Sequence, residues 1–323
     1  MPSIAPHSFP AFVIHAGFIG TEPAFALGDG TVRLGAEARS VAAHAGAVLA
    51  AVPSLDGKLL LTGGDDGRVV GTAASGEMQE FAAKGRKWID TLAAGPSGTV
   101  AYGSGRTAWV RDAKGRETEF AQERAVGGLA FAPKGLRLAV ATYGGVKLHY
   151  VGTNAPPQTL DWAGSHLQVT FSPDGRNVVT TMQEPALHGW RLADGQDMRM
   201  SGYPLKVKSL SWSARGRFLA SSGADAAILW PFHYKDGPMG KPPLQLGAYS
   251  QPVTRVACHP EEEIVAVGYA DGLILLVRFE DAQEVMLRRP GEGPISALGW
   301  DVAGFRLAFG AETGEAGVID IAG

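Results

Sequence analysis

Large apolar residues recur at alternate positions in short runs along this chain, with small or polar residues between them. Leu129 and Phe131, Val169 and Phe171, Leu210 and Trp212, Val256 and Cys258, and Leu298 and Trp300 are five such pairs, flanking Ala130, Thr170, Ser211, Ala257 and Gly299. A period of two is that of a strand whose faces point opposite ways, here one bulky and one slight. Each pair leads into a turn, and Val207 to Trp230 gives the fullest example. Leu210 and Trp212 share one strand face, Ser213 to Gly216 turn, Phe218 to Ser221 resume an extended run, and Asp225 closes a second turn before Ala227 to Trp230. A strand-turn-strand unit of this kind cannot cover both of its faces alone. It requires neighbours of the same kind.

The turns after these first strands supply them. They read PSLDG (53–57), GPSG (95–98), APKG (132–135), SPDG (172–175), SARG (213–216), HPEE (259–262) and DVAG (301–304), and their ends lie about 40 residues apart, the period of a four-stranded propeller blade. A degenerate further copy lies at the front, where Phe25 to Leu34 aligns without gaps on Thr62 to Gly71. The pattern predicts an all-β fold, a β-propeller of four-stranded antiparallel blades starting near 12, 48, 88, 127, 167, 207, 253 and 295. Eight blades are expected, with seven as the alternative. The last copy has residues for three strands only, so residues 2–10 are expected to supply its outer strand and close the ring.

Composition narrows the picture without redirecting it. Hydrophobic residues make up 45% and charged ones 19% of 323, enough for a large core, and 44 glycines and 20 prolines suit a fold of many turns. A formal net charge of −3 gives no footprint for nucleic acid or anionic membrane, so neither partner is expected. Cys258 is the sole cysteine and reads as a core residue; no intrachain disulfide or thiolate metal site follows from it. The N-terminal segment lacks a basic and long apolar leader, and the expected setting is a reducing cytoplasm.

The residues quoted above resemble the WD40 repeat family, as a degenerate, bacterial-type member. FSPDG (171–175) is similar to the family's turn after the inner strand, and SSGADAAILW (221–230), GDDGRVV (64–70) and DGTVRL (29–34) to its middle segment. The resemblance implies a buried brace in each blade, of His, Ser or Thr, Asp and Trp. The second repeat offers His44, Thr62 and Asp66, the sixth Ser221, Asp225 and Trp230, and the seventh Asp271. Eight-bladed quinone-dependent dehydrogenases form another propeller class, but their TGxxxW motif is missing from ASGEMQEF, DAKGRETEF and LADGQDMRM. No enzyme, cofactor or metal is expected.

The family likeness implies a protein- or peptide-binding scaffold, a monomer on its own, that works through one rim. Loops placed there carry Arg86, Trp88, Arg106, Arg124, Tyr143, Trp162, His166, Tyr203, Lys206, Tyr249, Tyr269 and Arg289, aromatic and basic types favoured at binding hot spots. The alternative is a small-molecule or metal site, possibly enzymatic, in a central channel lined by Asp90, Gln168, Lys208 and Arg255.

Overall fold

The computed structural model describes residues 2–322, and their regular structure is strand apart from one 3-10 turn at Pro96–Gly98. Most sheets take four consecutive strands in simple antiparallel order. Val48–Pro53, Leu59–Gly64, Arg68–Ala73 and Met78–Ala83 are one such set. Connections between neighbouring antiparallel strands are short, so each strand pairs with the next as soon as the chain reverses. First strands of adjoining sheets pack on one another, which places them around a common axis. In the last sheet the chain ends meet. Ser3–Ser8 pairs antiparallel with Glu315–Asp320 in register from Ser3↔Asp320 to Ser8↔Glu315, and Ser296 Oγ donates to the carbonyl of Val13 at 2.7 Å, tying the last repeat to the first.

The hydrogen-bonded strand order gives seven sheets, six of four strands and one of six, which corrects the expectation of eight separate blades. The cause is local. Two 14-residue strands, Arg137–Tyr150 and Gln158–Phe171, run through points where the sequence pattern placed turns. Leu138 to Ala141 pair with the strand before, and Gly145 to Leu148 with the strand after. His166 to Phe171 then continue into pairing with Val178 to Met182. Gly144 and Gly145 take φ of 96° and 141° at the first corner, a region that side chains avoid, and so the backbone bends while staying paired.

The core is distributed between adjoining sheets. Tyr269, Phe25, Leu61, Leu138 and Trp190 are almost wholly buried at such contacts, each worth roughly 1.5–3 kcal/mol in side-chain transfer. Near the axis the slight faces are needed because first strands approach closely. A Cβ on Gly128 would lie 2.1 Å from the carbonyl oxygen of Leu167, and one on Gly299 would lie 2.4 Å from that of Ala16. The bulky faces fill the widening space and hold the neighbour by polar contacts. The indole N–H of Trp212 donates to Thr170 Oγ1 at 3.1 Å and that of Trp300 to the Ala257 carbonyl at 3.0 Å. Cys258 lies in the same layer, buried, with its thiol pushed up to about 12 by desolvation.

Candidate binding face and central channel

Strands that alternate up and down put two kinds of connection on each edge of the ring. The turn between second and third strands and the link from one repeat to the next share one edge; the other two turns share the opposite edge. Every rim residue expected from the sequence belongs to the first edge or borders it. The structure divides them into those that brace the fold and those that face solvent.

The brace of the second repeat is assembled as a chain of hydrogen bonds. His44 meets Asp66 Oδ1 through Nδ1 at 2.9 Å and Thr62 Oγ1 through Nε2 at 2.9 Å. The N–H groups of Ala45 and Arg68 donate to the Asp66 carboxylate at 3.0 Å each. Burial raises the Asp66 pKa, but these donors outweigh it and hold the carboxyl below its ordinary value. In the sixth repeat Tyr203 stands eighteen residues before Ser221, as His44 stands before Thr62. The indole N–H of Trp230 donates to Tyr203 Oη at 2.6 Å, Tyr203 and Ser221 Oγ are 2.6 Å apart, and Ser221 donates to the Ile228 carbonyl at 3.0 Å. Tyr203 is buried, and it is corrected from rim residue to brace. Asp225, expected in this brace, takes no part in it: it is exposed, and its carboxylate makes no hydrogen bond among the described residues.

Three more rim assignments change for the same reason. Tyr249 lies 22 residues before Asp271, the spacing of His44 and Asp66, and its hydroxyl donates to Asp271 Oδ2 at 3.1 Å while the Leu273 N–H donates to Oδ1. Tyr269 is fully buried, its hydroxyl on the Gly247 carbonyl. His166 is buried between Thr180 Oγ1 at 2.8 Å and the Trp162 carbonyl at 3.0 Å. Trp162 is half-buried, stacked on His188 with ring centroids 4.0 Å apart. The signal that locates these braces is the spacing back from the turn Asp or strand Ser and Thr, with Tyr accepted where His stands in the second repeat. Tyr203→Phe is expected to lower unfolding free energy by about 1–3 kcal/mol, because it orphans the buried Trp230 N–H. Tyr249→Phe, on a half-buried bond, should cost less than about 1 kcal/mol; equal urea midpoints for the two variants would contradict this ordering.

What remains exposed on the first edge is Trp88, Tyr143, Arg86, Arg106, Arg124 and Arg289, with Lys206 half-buried against Gln183 Oε1 at 2.8 Å. Trp88 leaves 64% of its surface to solvent and Tyr143 59%. Sequence reasoning missed two apolar neighbours on this edge, Leu205 at 47% and Phe12 at 38%; both adjoin inner strands, where apolar residues read as core.

Phe12 also lines the central channel, a cavity of about 540 Å³ whose wall is built mainly from residues of the first strands, apolar and polar alike. Asp90, Gln168 and Arg255 supply its polar groups. Lys208, expected there, does not line it; only its carbonyl takes part, accepting from Gln168 Nε2 at 3.2 Å. Arg255 gives two of its donors to the carbonyls of Ser296 at 2.6 Å and Thr254 at 2.9 Å. Desolvation raises the Asp90 carboxyl above its ordinary value. Among the described residues no three His, Cys, Asp or Glu side chains gather as a metal site would require, and no helix is long and apolar enough to cross a membrane.

Comparisons with known proteins agree with this architecture. A family model described as WD domain, G-beta repeat matches residues 35–70 and 198–229, the brace regions of the second and sixth repeats. Telomerase protein component 1 of Rattus norvegicus is 25% identical over 204 residues, 61% of this chain; the match spans only 8% of that much longer protein. Among solved structures, the computationally designed Ika8 protein superposes with a TM-score of 0.79 at 21% identity over 98% of each chain. At that identity the likeness concerns the fold alone.

Proposed function

Since this chain is a WD-repeat β-propeller, we propose that it is a non-catalytic scaffold that holds a protein or peptide against the edge bearing Trp88. The observation that carries this is the exposure of large apolar side chains there, Trp88 above all, on an edge that also exposes arginines with no carboxylate partner among the described residues. A free indole in water is costly to leave uncovered, and it supplies rigid contact area at small entropic cost when covered. Arg86, Arg106, Arg124 and Arg289, exposed on the same edge, favour an acidic segment. The name of the rat relative marks that protein as a component of an assembly, which fits a scaffold reading. On the same reading the protein is a cytoplasmic monomer when free, with neither nucleic acid nor membrane as partner.

Affinity capture from a native lysate tests the scaffold. Trp88→Ala and Arg289→Ala are each expected to reduce a stoichiometric partner at least tenfold while leaving the melting temperature within about 1 °C, because both residues are exposed. Unchanged capture by both variants would overturn the assignment of this edge. The raised carboxyl of Asp90, beside Gln168 and Arg255 in the central channel, favours one other reading, a small ligand bound at the axis. It predicts a ligand-dependent rise in melting temperature that Asp90→Asn abolishes.

A further inference from the structure

The opposite edge carries a feature that the repeat pattern does not require. Between Ala227–Pro231 and Leu244–Leu246 the chain inserts twelve residues, where the third-to-fourth strand connections in the other repeats take four to seven. The insertion is fixed rather than loosely draped. His233 Nδ1 donates to the Arg217 carbonyl at 3.2 Å, its ring lies 4.2 Å from that of Tyr234, and Lys241 Nζ sits 4.9 Å from the Tyr234 ring centroid. Arg191 of the preceding repeat clamps it from the side, donating to the Lys235 carbonyl at 3.0 Å and Asp236 Oδ1 at 2.9 Å.

Between this insertion and the turns of the fifth and sixth repeats lies a cavity of about 650 Å³. Five cationic side chains and one carboxylate line it, in a protein whose net charge is negative. Arg191 is neutralised in place by Asp194 and Asp236. Arg176 has only a loose contact with Asp174, 3.5 Å apart and both exposed, which is worth little. Arg215, Arg217 and Lys235 have no carboxylate partner among the described residues. Like charges so gathered repel one another, and a dianion bound among them removes that repulsion while matching the planar fork of arginine. Phe232, Leu192 and Tyr234 add apolar wall beside the cations, and the volume exceeds what an isolated anion fills.

We propose that this cavity binds a phosphorylated peptide segment, its phosphoryl group held by Arg215, Arg217 and Lys235 and its flanking side chains laid on Tyr234 and Leu192. A peptide fits better than an anionic membrane surface. Asp174, Asp194 and Asp236 stand exposed on the same edge, where a flat sheet of headgroup charge would meet them; a single phosphoryl entering the concavity does not. The site lies across the ring from Trp88 and is independent of that edge.

The test uses the full-length protein and a degenerate peptide library with one fixed phosphoserine, beside the same library carrying serine or aspartate there. At least tenfold greater retention of the phosphoserine library is expected, lost in the Arg215→Glu, Arg217→Glu double variant with unchanged circular dichroism and melting temperature, and kept in Trp88→Ala. Equal retention of the serine or aspartate library overturns the proposal, as does phosphoserine retention that survives the double variant. Binding to vesicles containing phosphatidylinositol phosphates without peptide retention overturns it in favour of a membrane ligand. Trp88→Ala loses partner capture only if the first edge is the scaffold's, so the two readings fail separately.

Discussion

Deleting residues 2–10 is expected to lower the melting temperature by about 10 °C or more. The deletion removes the whole of the outer strand that Glu315–Asp320 pairs with, and with it Phe9, which is buried against Phe25 at a centroid distance of 5.4 Å. Truncating a buried Phe alone costs roughly 3–5 kcal/mol, and in a protein of this size each kcal/mol moves the midpoint by about 2–4 °C. The N–H of Phe9 also donates to the Gly314 carbonyl at 2.9 Å, so the last sheet loses pairing beyond the strand itself. A freshly opened edge on Glu315–Asp320 invites intermolecular pairing, and concentration-dependent association should accompany the loss. Phe9→Ala in the intact chain should fall between deletion and parent, separating packing from strand pairing. A deletion variant that melts within about 1 °C of the parent would show that the ring does not depend on this strand.

Acid is expected to weaken the fold between pH 6.5 and 4, with His188 among the groups responsible. Its ring is wholly buried, stacked on Trp162 and set edge-on to Trp190 at 4.7 Å. Among the described residues neither ring nitrogen has a hydrogen-bond partner, and Asp197 Oδ2 stays 3.8 Å from Nε2. Desolvation lowers the His188 pKa to about 4; Asp197 pulls it up, and His166 and Arg199 push it further down. A histidine whose folded pKa lies below its unfolded value near 6.5 is held neutral by the fold. Its contribution is therefore complete above pH 6.5 and is lost progressively as pH falls toward 4, by roughly 3 kcal/mol at 1.36 kcal/mol per unit. His149 and His15, each also lowered to about 4 by desolvation first, act in the same direction. Urea unfolding at pH 7, 5.5 and 4 measures the slope, and His188→Phe should flatten it by about that amount. An unchanged slope in the variant would remove His188 from the acid-sensitive groups. Loss continuing below pH 4 belongs to carboxylates such as Asp66, whose lowered pKa makes its contribution present above the ordinary carboxyl range and absent below it.

The sequence by itself determined the repeat, its four-stranded antiparallel order and the segregation of bulky and slight faces on the first strands. These follow from neighbours in the chain: alternation sets which face a side chain takes, and Gly, Pro and Asp set the turns. It also determined the second repeat's brace, because His44, Thr62 and Asp66 all stand where the motif puts them. Tertiary structure decided which loop aromatics are buried. Tyr203, Tyr249 and Tyr269 look alike in sequence to Tyr143 and Trp88, but their hydroxyls meet Ser221, Asp271 and the Gly247 carbonyl, partners 18 to 22 residues away, while Tyr143 and Trp88 meet solvent. It decided the count of sheets as well, because two repeats join only where the one long strand Gln158–Phe171 pairs with 143–148 through its first half and with 178–182 through its second. The cavity beside Arg215 likewise comes from an insertion of one repeat folding onto the turns of its neighbour, and pairing across that distance leaves no period in the chain to read.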